Sequence, residues 1–297
     1  AAGCAWNKAA NTPPASPGGS TTWAGCCWTV TTDCRPIIRA RSVFVVPETA
    51  LLIDQGNTRL KWVLARDGEI VVDSAGRGDS TALATAFDGS IETLNNVLFS
   101  SVAGAEAVRQ VTEICHGRWG IKPRRLESKP EQGGVRCAYA DPSALGVDRW
   151  LAIVGAVHRY GNPVVIWDLG TASTLDAVDE NGDHLGGMIL PGPATMLNSL
   201  RRDTRLKVPD DLSKARASAG QGEAGVAPGA DTAECLSRGV LAAQLGAVNQ
   251  FLRHVARRME ADPELVVTGG AAEHVADLLE MEYRHDPWLV FRGMLVD

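Results

Sequence analysis

Two aspartates each end a short apolar run and lead straight into a glycine turn. Ala50-Leu51-Leu52-Ile53-Asp54 continues into Gln55-Gly56-Asn57-Thr58, and Val164-Val165-Ile166-Trp167-Asp168 into Leu169-Gly170-Thr171-Ala172. A carboxylate at the end of a buried strand lies at the sheet edge where ligands collect in α/β folds, and there it can hold a hydrated Mg²⁺ or another cation. The turns offer what phosphate needs: backbone N–H groups that approach closely because glycine lacks Cβ, with hydroxyl and amide donors beside them. Lys61, on the strand after the first turn, adds a point charge. A third group is Gly146-Val147-Asp148-Arg149-Trp150. Asp148 there is either the N-cap of the helix that follows or a carboxylate that takes a hydroxyl proton beside a carboxylate-binding fork, and these residues alone leave both open. Neither G-x-x-x-x-G-K-[ST] nor a G-x-G-x-x-G after a strand is present, so any phosphate cradle here is of another kind.

These residues need elements to position them. Leu60, Trp62 and Leu64 alternate, Asp67-Gly68 marks a hairpin turn, and Glu69 to Asp73 reads as a third strand. After Asp168, Ser173 to Val178 is a strand and Asn181-Gly182 a turn. Asp54 precedes Gly68 by the same interval as Asp168 precedes Gly182, which reads as an internal duplication. Helical spacing covers Ser80 to Phe87, Ala105 to Trp119, Asp148 to Tyr160, Ala194 to Leu200, Thr232 to Met259 and His274 to Met281. Asn96 to Val102 and Leu265 to Val267 read as strands, the latter ending in the turn Thr268-Gly269-Gly270, and Trp288 to Phe291 as a closing strand. Ser213 to Ala230, rich in Gly and Ala, reads as a mobile loop.

The chain has 297 residues, 45% hydrophobic and 22% charged, enough for a sizeable core and incompatible with a disordered chain. A net charge of -6 argues against nucleic acid as a partner, and no apolar run reaches the roughly 18 residues of a membrane span. Four of the seven cysteines (Cys4, Cys26, Cys27 and Cys34) lie in a Pro/Ser/Thr/Gly-rich segment without helical or alternating period, and the others are scattered singly. Residues 1–49 therefore read as a tail, with neither a secretory apolar centre nor a zinc-ligand set. Residues 50–160 and 161–297 are expected to form two α/β lobes, and the cytoplasm is the expected location.

In order, Asp54-Gln55-Gly56-Asn57-Thr58 with Lys61, Gly146-Val147-Asp148-Arg149-Trp150, Asp168-Leu169-Gly170-Thr171-Ala172 and Gly186-Gly187-Met188-Ile189-Leu190-Pro191-Gly192 resemble the signatures of the type III pantothenate kinases, a family also called Bvg accessory factor-like. Asp231-Thr232, Ser237-Arg238-Gly239, Thr268-Gly269-Gly270 and Pro287 to Met294 fit its later blocks. The resemblance implies an actin-like, sugar-kinase-type α/β fold of two duplicated ribonuclease H-like lobes. It implies transfer of the ATP γ-phosphoryl to the primary hydroxyl of pantothenate, the first step of coenzyme A synthesis. Carried over by position, Asp54, Gln55, Gly56, Asn57, Thr58, Arg59, Leu60, Lys61 and Thr171 are ATP-binding positions. Asp168 is a ligand of a monovalent cation, K⁺ or NH₄⁺. Tyr139, Gly146, Val147, Asp148, Arg149 and Thr232 are pantothenate-binding positions, with Asp148 as the general base. Mg²⁺ accompanies ATP, and the protein is expected to be a homodimer. The sequence departs from the family's pattern in the long Ser213 to Ala230 linker and in Asp231, where Asn is frequent. A nucleotide-binding accessory protein without catalysis, and a sugar or acetate kinase on the same fold, are the competing readings.

Overall fold

The computed structural model describes residues 49–87, 94–210, 212, 227–259 and 261–297. Most of the expected tail, and all of the Ser213 to Ala230 loop before residue 227, lie outside the described residues. Every described strand and helix falls within the unit of residues 40–297.

The first sheet begins at Thr49 with β1 (Thr49–Gln55), β2 (Leu60–Arg66) and β3 (Glu69–Gly78), followed by α1 (Ser80–Thr85), β4 (Asn96–Ser101), α2 (Ala105–Trp119) and β5 (Arg124–Arg125). A small hairpin, β6 (Glu131–Gln132) and β7 (Val135–Arg136), leads to α3 (Val147–Tyr160). The second sheet starts with β8 (Val164–Leu169), β9 (Ala172–Val178) and β10 (His184–Pro191). It continues through α4 (Pro193–Asp203), α5 (Thr232–Met259), β11 (Glu264–Thr268), α6 (Ala272–Val275) and β12 (Arg284–His285), and the chain closes with α7 (Leu289–Met294). Strand order is β3-β2-β1-β4-β5 in one sheet and β10-β9-β8-β11-β12 in the other. In both, the first three strands are antiparallel and the last two parallel to the first. This is the ribonuclease H-like pattern twice over, the actin-like, sugar-kinase-type fold.

The duplication is one of topology, and the loops differ inside it. Gly56–Arg59 bridges the pair Gln55↔Leu60, whereas Gly170–Ala172 bridges Leu169↔Ser173. The later hairpin compensates: Asp67-Gly68 alone links Arg66↔Glu69, both at positive φ, while residues 179–183 link Val178↔His184. The equal glycine intervals thus hide unequal loops, the second unit having a shorter first turn and a longer second one.

Side-chain parity decides which face each strand residue serves. Leu51 and Ile53 pack outward with Leu83, Val111 and Cys115 of α1 and α2, while Ala50 and Leu52 face inward onto Val147 and Leu151 of α3 and Phe291 and Met294 of α7. On β8, Val165, Trp167 and Leu169 join α4 and α5, and Val164 and Ile166 face inward onto Trp150 and Ile153 of α3. Helices α3 and α7 are therefore the filling between two sheets. Their backbones come into contact because both carry glycine there: a Cβ on Gly155 would overlap the Leu289 carbonyl, and one on Gly293 the Leu151 carbonyl.

Two elements correct the expectations from sequence. Trp288 to Phe291 is not a strand but runs into α7, because a short apolar run has no period to distinguish the two and packing against α3 decides. The closing strand is instead β12. The helix expected over His274 to Met281 is a single turn, α6, followed by a 3₁₀ turn over Ala276–Leu278.

Candidate active site

The parity that turns Ala50 and Leu52 inward continues to Asp54, and the one that turns Val164 and Ile166 inward continues to Asp168. Both carboxylates thus leave their strands on the faces that sandwich α3, and the N-terminus of α3 brings Asp148 between them. The groups are electrostatically coupled. Burial raises the Asp54 carboxyl above the ordinary range, with Lys61 and a hydrogen bond from Ser100 Oγ (2.8 Å) drawing it back and Asp148 pushing it further up. Asp168 is pushed up to about 6, first by burial; Lys61 opposes the rise, and Asp148, Asp54 and Asp176 add to it. Lys61, exposed and paired across the strands with Asp54, thus acts on a carboxylate of each sheet.

The two glycine turns meet. Thr58 and Thr171 lie in exposed turns of different sheets, yet their hydroxyl oxygens are 3.2 Å apart. In the first turn the Gly56 N–H donates to the Arg59 carbonyl, leaving Asn57, Thr58 and Arg59 exposed. In the second, the Gly170 N–H donates to Ala172, and Thr195 Oγ1 and the Gly192 N–H both donate to the Thr171 carbonyl, which ties the start of α4 to the turn. Within the expected ATP segment two side chains are committed elsewhere. Gln55 accepts from Ser101 Oγ and donates to the Ala107 carbonyl, and Leu60 is core, so both can serve a ligand through backbone only.

Asp148 is not the N-cap of α3. Gly146 holds that position, and Asp148 sits in the first turn accepting the Arg149 N–H at 2.8 Å, where the helix dipole favours its negative charge. A Cβ on Gly146 would lie 2.7 Å from Asp148 Oδ1, so glycine spares that carboxylate a steric clash while Oδ1 accepts the Arg149 N–H. Arg149, one residue on, directs its guanidinium at Asp176 of β9 through Nε–Oδ2 (3.0 Å) and Nη2–Oδ1 (2.6 Å), and Nη1 donates to Tyr139 Oη at 3.2 Å. Val147 is buried in the core between α3 and the first sheet.

Most of the expected positions are thus brought together: the first turn with Asp54 and Lys61, the second with Asp168 and Thr171, the α3 start, and Tyr139 through Arg149. Thr232 stands exposed at the start of α5, and no hydrogen bond among the described residues joins it to this group. The sequence reading missed Asp176 and His184. Asp176 did carry a signal: a carboxylate between Leu175 and Ala177 in a buried strand requires a partner.

Two duplicated sheets with hydroxyl-bearing glycine turns in contact, above three carboxylates and a lysine, define a phosphotransferase of the actin and sugar-kinase class. The family model for type III pantothenate kinase matches residues 50–254. A type III pantothenate kinase of Herminiimonas arsenicoxydans is 36% identical over 256 residues, covering 82% of this chain and 95% of that one, and one of Burkholderia ambifaria is 34% identical over 250 residues, covering 82% and 94%. The chain belongs to the type III pantothenate kinase family. A solved structure from Campylobacter jejuni, described as of the Baf family of transcriptional activators, shares the fold at a TM-score of 0.51 and 20% identity, covering 82% of this chain and 94% of that one.

Proposed function

We propose that the chain transfers the γ-phosphoryl group of ATP to the primary hydroxyl of pantothenate, the first step of coenzyme A synthesis. The observation that carries this reading is the contact between the Thr58 and Thr171 turns, which follow Asp54 and Asp168 in their two sheets, together with the electrostatic coupling of those carboxylates to Asp148. Phosphoryl transfer needs mainly positioning and charge neutralisation. Asp54 through Lys61 hold the ATP phosphates on one side, with Gly56, Asn57, Thr58 and Arg59 presenting donors, and Thr171 holds them on the other. Asp148, in the first turn of α3, accepts the proton of the attacking hydroxyl, and Tyr139, Val147, Arg149 and Thr232 surround pantothenate. Arg149 keeps donors beyond those spent on Asp176 and Tyr139, enough for the substrate carboxylate.

Asp168 suits a monovalent cation, K⁺ or NH₄⁺: burial, together with the nearby carboxylates Asp148, Asp54 and Asp176, makes its negative charge costly, and a single positive charge beside it would offset that cost. Mg²⁺ accompanying ATP would be held by Asp54 and Asp168, directly or through water, and would supply charge neutralisation at the phosphates. When bound, the two ions offset charge on the transferred phosphoryl group. Exposed Met188 and Ile189 on the edge strand β10 support a homodimer, which sedimentation would check. The lobes are residues 50–160 and 161–297, and the cytoplasm is the proposed location; separately, no described helix is long and apolar enough to cross a membrane.

A coupled ADP-release assay with pantothenate, glycerol, acetate and hexoses, each with and without K⁺, tests this. ADP release with pantothenate alone, dependent on K⁺, is expected. Asp148→Asn should lose about 100-fold or more in turnover while keeping its ATP affinity. Release with a sugar or acetate would reassign the substrate, and no release with any of them would point to a nucleotide-binding accessory role.

A further inference from the structure

We infer that Asp176 and His184 are positioning residues for the acid substrate, a buried pair on β9 and β10 that sets the orientation of both Arg149 and Tyr139. The inference rests on the pantothenate reading above and deepens it. The Asp176 side chain is 3% exposed, that of His184 0% and that of Arg149 9%. Asp176 Oδ1 accepts from Arg149 Nη2 and stands 3.1 Å from His184 Nε2, while Oδ2 takes Arg149 Nε, so both carboxylate oxygens are committed to the fork. The Ala138 N–H donates to His184 Nδ1 at 3.4 Å, which leaves Nε2 as the protonated nitrogen that donates to Asp176. The imidazole also stacks on the Tyr139 ring, centroids 6.3 Å apart and planes 11° from parallel, and the Tyr139 hydroxyl accepts Arg149 Nη1. One histidine thereby anchors the segment that carries Tyr139 and the carboxylate that holds Arg149.

The backbone is shaped around this pair. Asp176 lies opposite Gly187 on β10, and a Cβ at Gly187 would overlap Asp176 Oδ1 and lie 2.7 Å from Arg149 Nη2. A guanidinium on a flexible stem binds a carboxylate well only when its fork is preset, because the ordering cost then falls on folding rather than on binding. The bidentate Asp176 contact presets it, and the remaining Nη1 and Nη2 hydrogens are left for substrate.

Steady-state kinetics on the full chain tests the inference, with KM for pantothenate and for ATP measured separately and Tm recorded alongside. Asp176→Asn keeps the side chain's shape and removes the charge, and it is expected to raise KM for pantothenate about 10- to 100-fold with KM for ATP within about twofold. His184→Gln retains an N–H near the place of Nε2 and should recover most of the KM lost in His184→Ala, which a purely space-filling role would not produce. If Asp176→Asn fails to fold, the two His184 variants decide alone. KM for pantothenate unchanged in the folded variants, equal rises for both substrates, or no difference between Gln and Ala at 184 would overturn the inference. A wild-type chain inactive on pantothenate would instead overturn the functional reading beneath it.

Discussion

The three carboxylates of the cleft differ in what the fold demands of them. Asp148 lies at a helix start, where a negative charge is favoured, whereas Asp168 is held where its charge costs folding energy. With its carboxyl pushed up to about 6 in the folded chain and near the ordinary value in the unfolded one, the folded state binds more protons between those limits. The cation-free protein should lose stability as pH rises from about 4 through about 6, and the cost persists above that. Asp168→Asn should remove it, raising stability near pH 7.5 by up to about 2–3 kcal/mol while abolishing any K⁺ dependence of turnover. Urea midpoints at pH 4.5 and 7.5, without K⁺, check this; equal midpoints for the two chains at pH 7.5 would show that Asp168 is not strained. Cys115 shows the same desolvation away from the cleft: on the buried face of α2, its thiol is pushed up to about 12. Iodoacetamide at pH 8 should leave it unmodified in the native chain and label it after unfolding, since only the thiolate attacks.

Among the elements, the α3–α7 pair does most to place the site, since α3 carries Asp148 and Arg149 and α7 wedges it against the first sheet. Two helix glycines make opposite predictions from their surroundings. Gly117 in α2 has open space where a Cβ would go, so Gly117→Ala should stabilise by about 0.5–1 kcal/mol through helix propensity. Gly155→Ala meets the α7 backbone and should destabilise by about 1–3 kcal/mol, and turnover should fall as the start of α3 shifts. Denaturant midpoints for both variants test the contact, and similar gains would mean that the helices are not closely apposed. At this scale the long periodic helices were readable: Thr232 to Met259 and Ala105 to Trp119 agree with α5 and α2 to the residue. Trp288 to Phe291 was not, because its helical state depends on a partner helix distant in sequence.

At the scale of the whole molecule, the cleft exists because two like sheets share one helical filling. ATP should raise Tm through mass action, and Thr58→Ala with Thr171→Ala should shrink that rise, measured by thermal shift at fixed nucleotide concentration. The sheet begins at Thr49 and the family match at residue 50, so a chain lacking residues 1–39 should keep its kcat and both KM values. The strand-end carboxylates, the glycine turns and the helix bearing Asp148 are legible along the chain, since they follow from local periodicity and turn chemistry. The folded chain alone reveals that Thr58 touches Thr171, that the equal repeat spacing conceals unequal loops, and that Asp176, itself in contact with His184, holds Arg149. Those facts depend on parity across two sheets and on buried charges finding partners far along the chain, and neither leaves a period for a sequence to display.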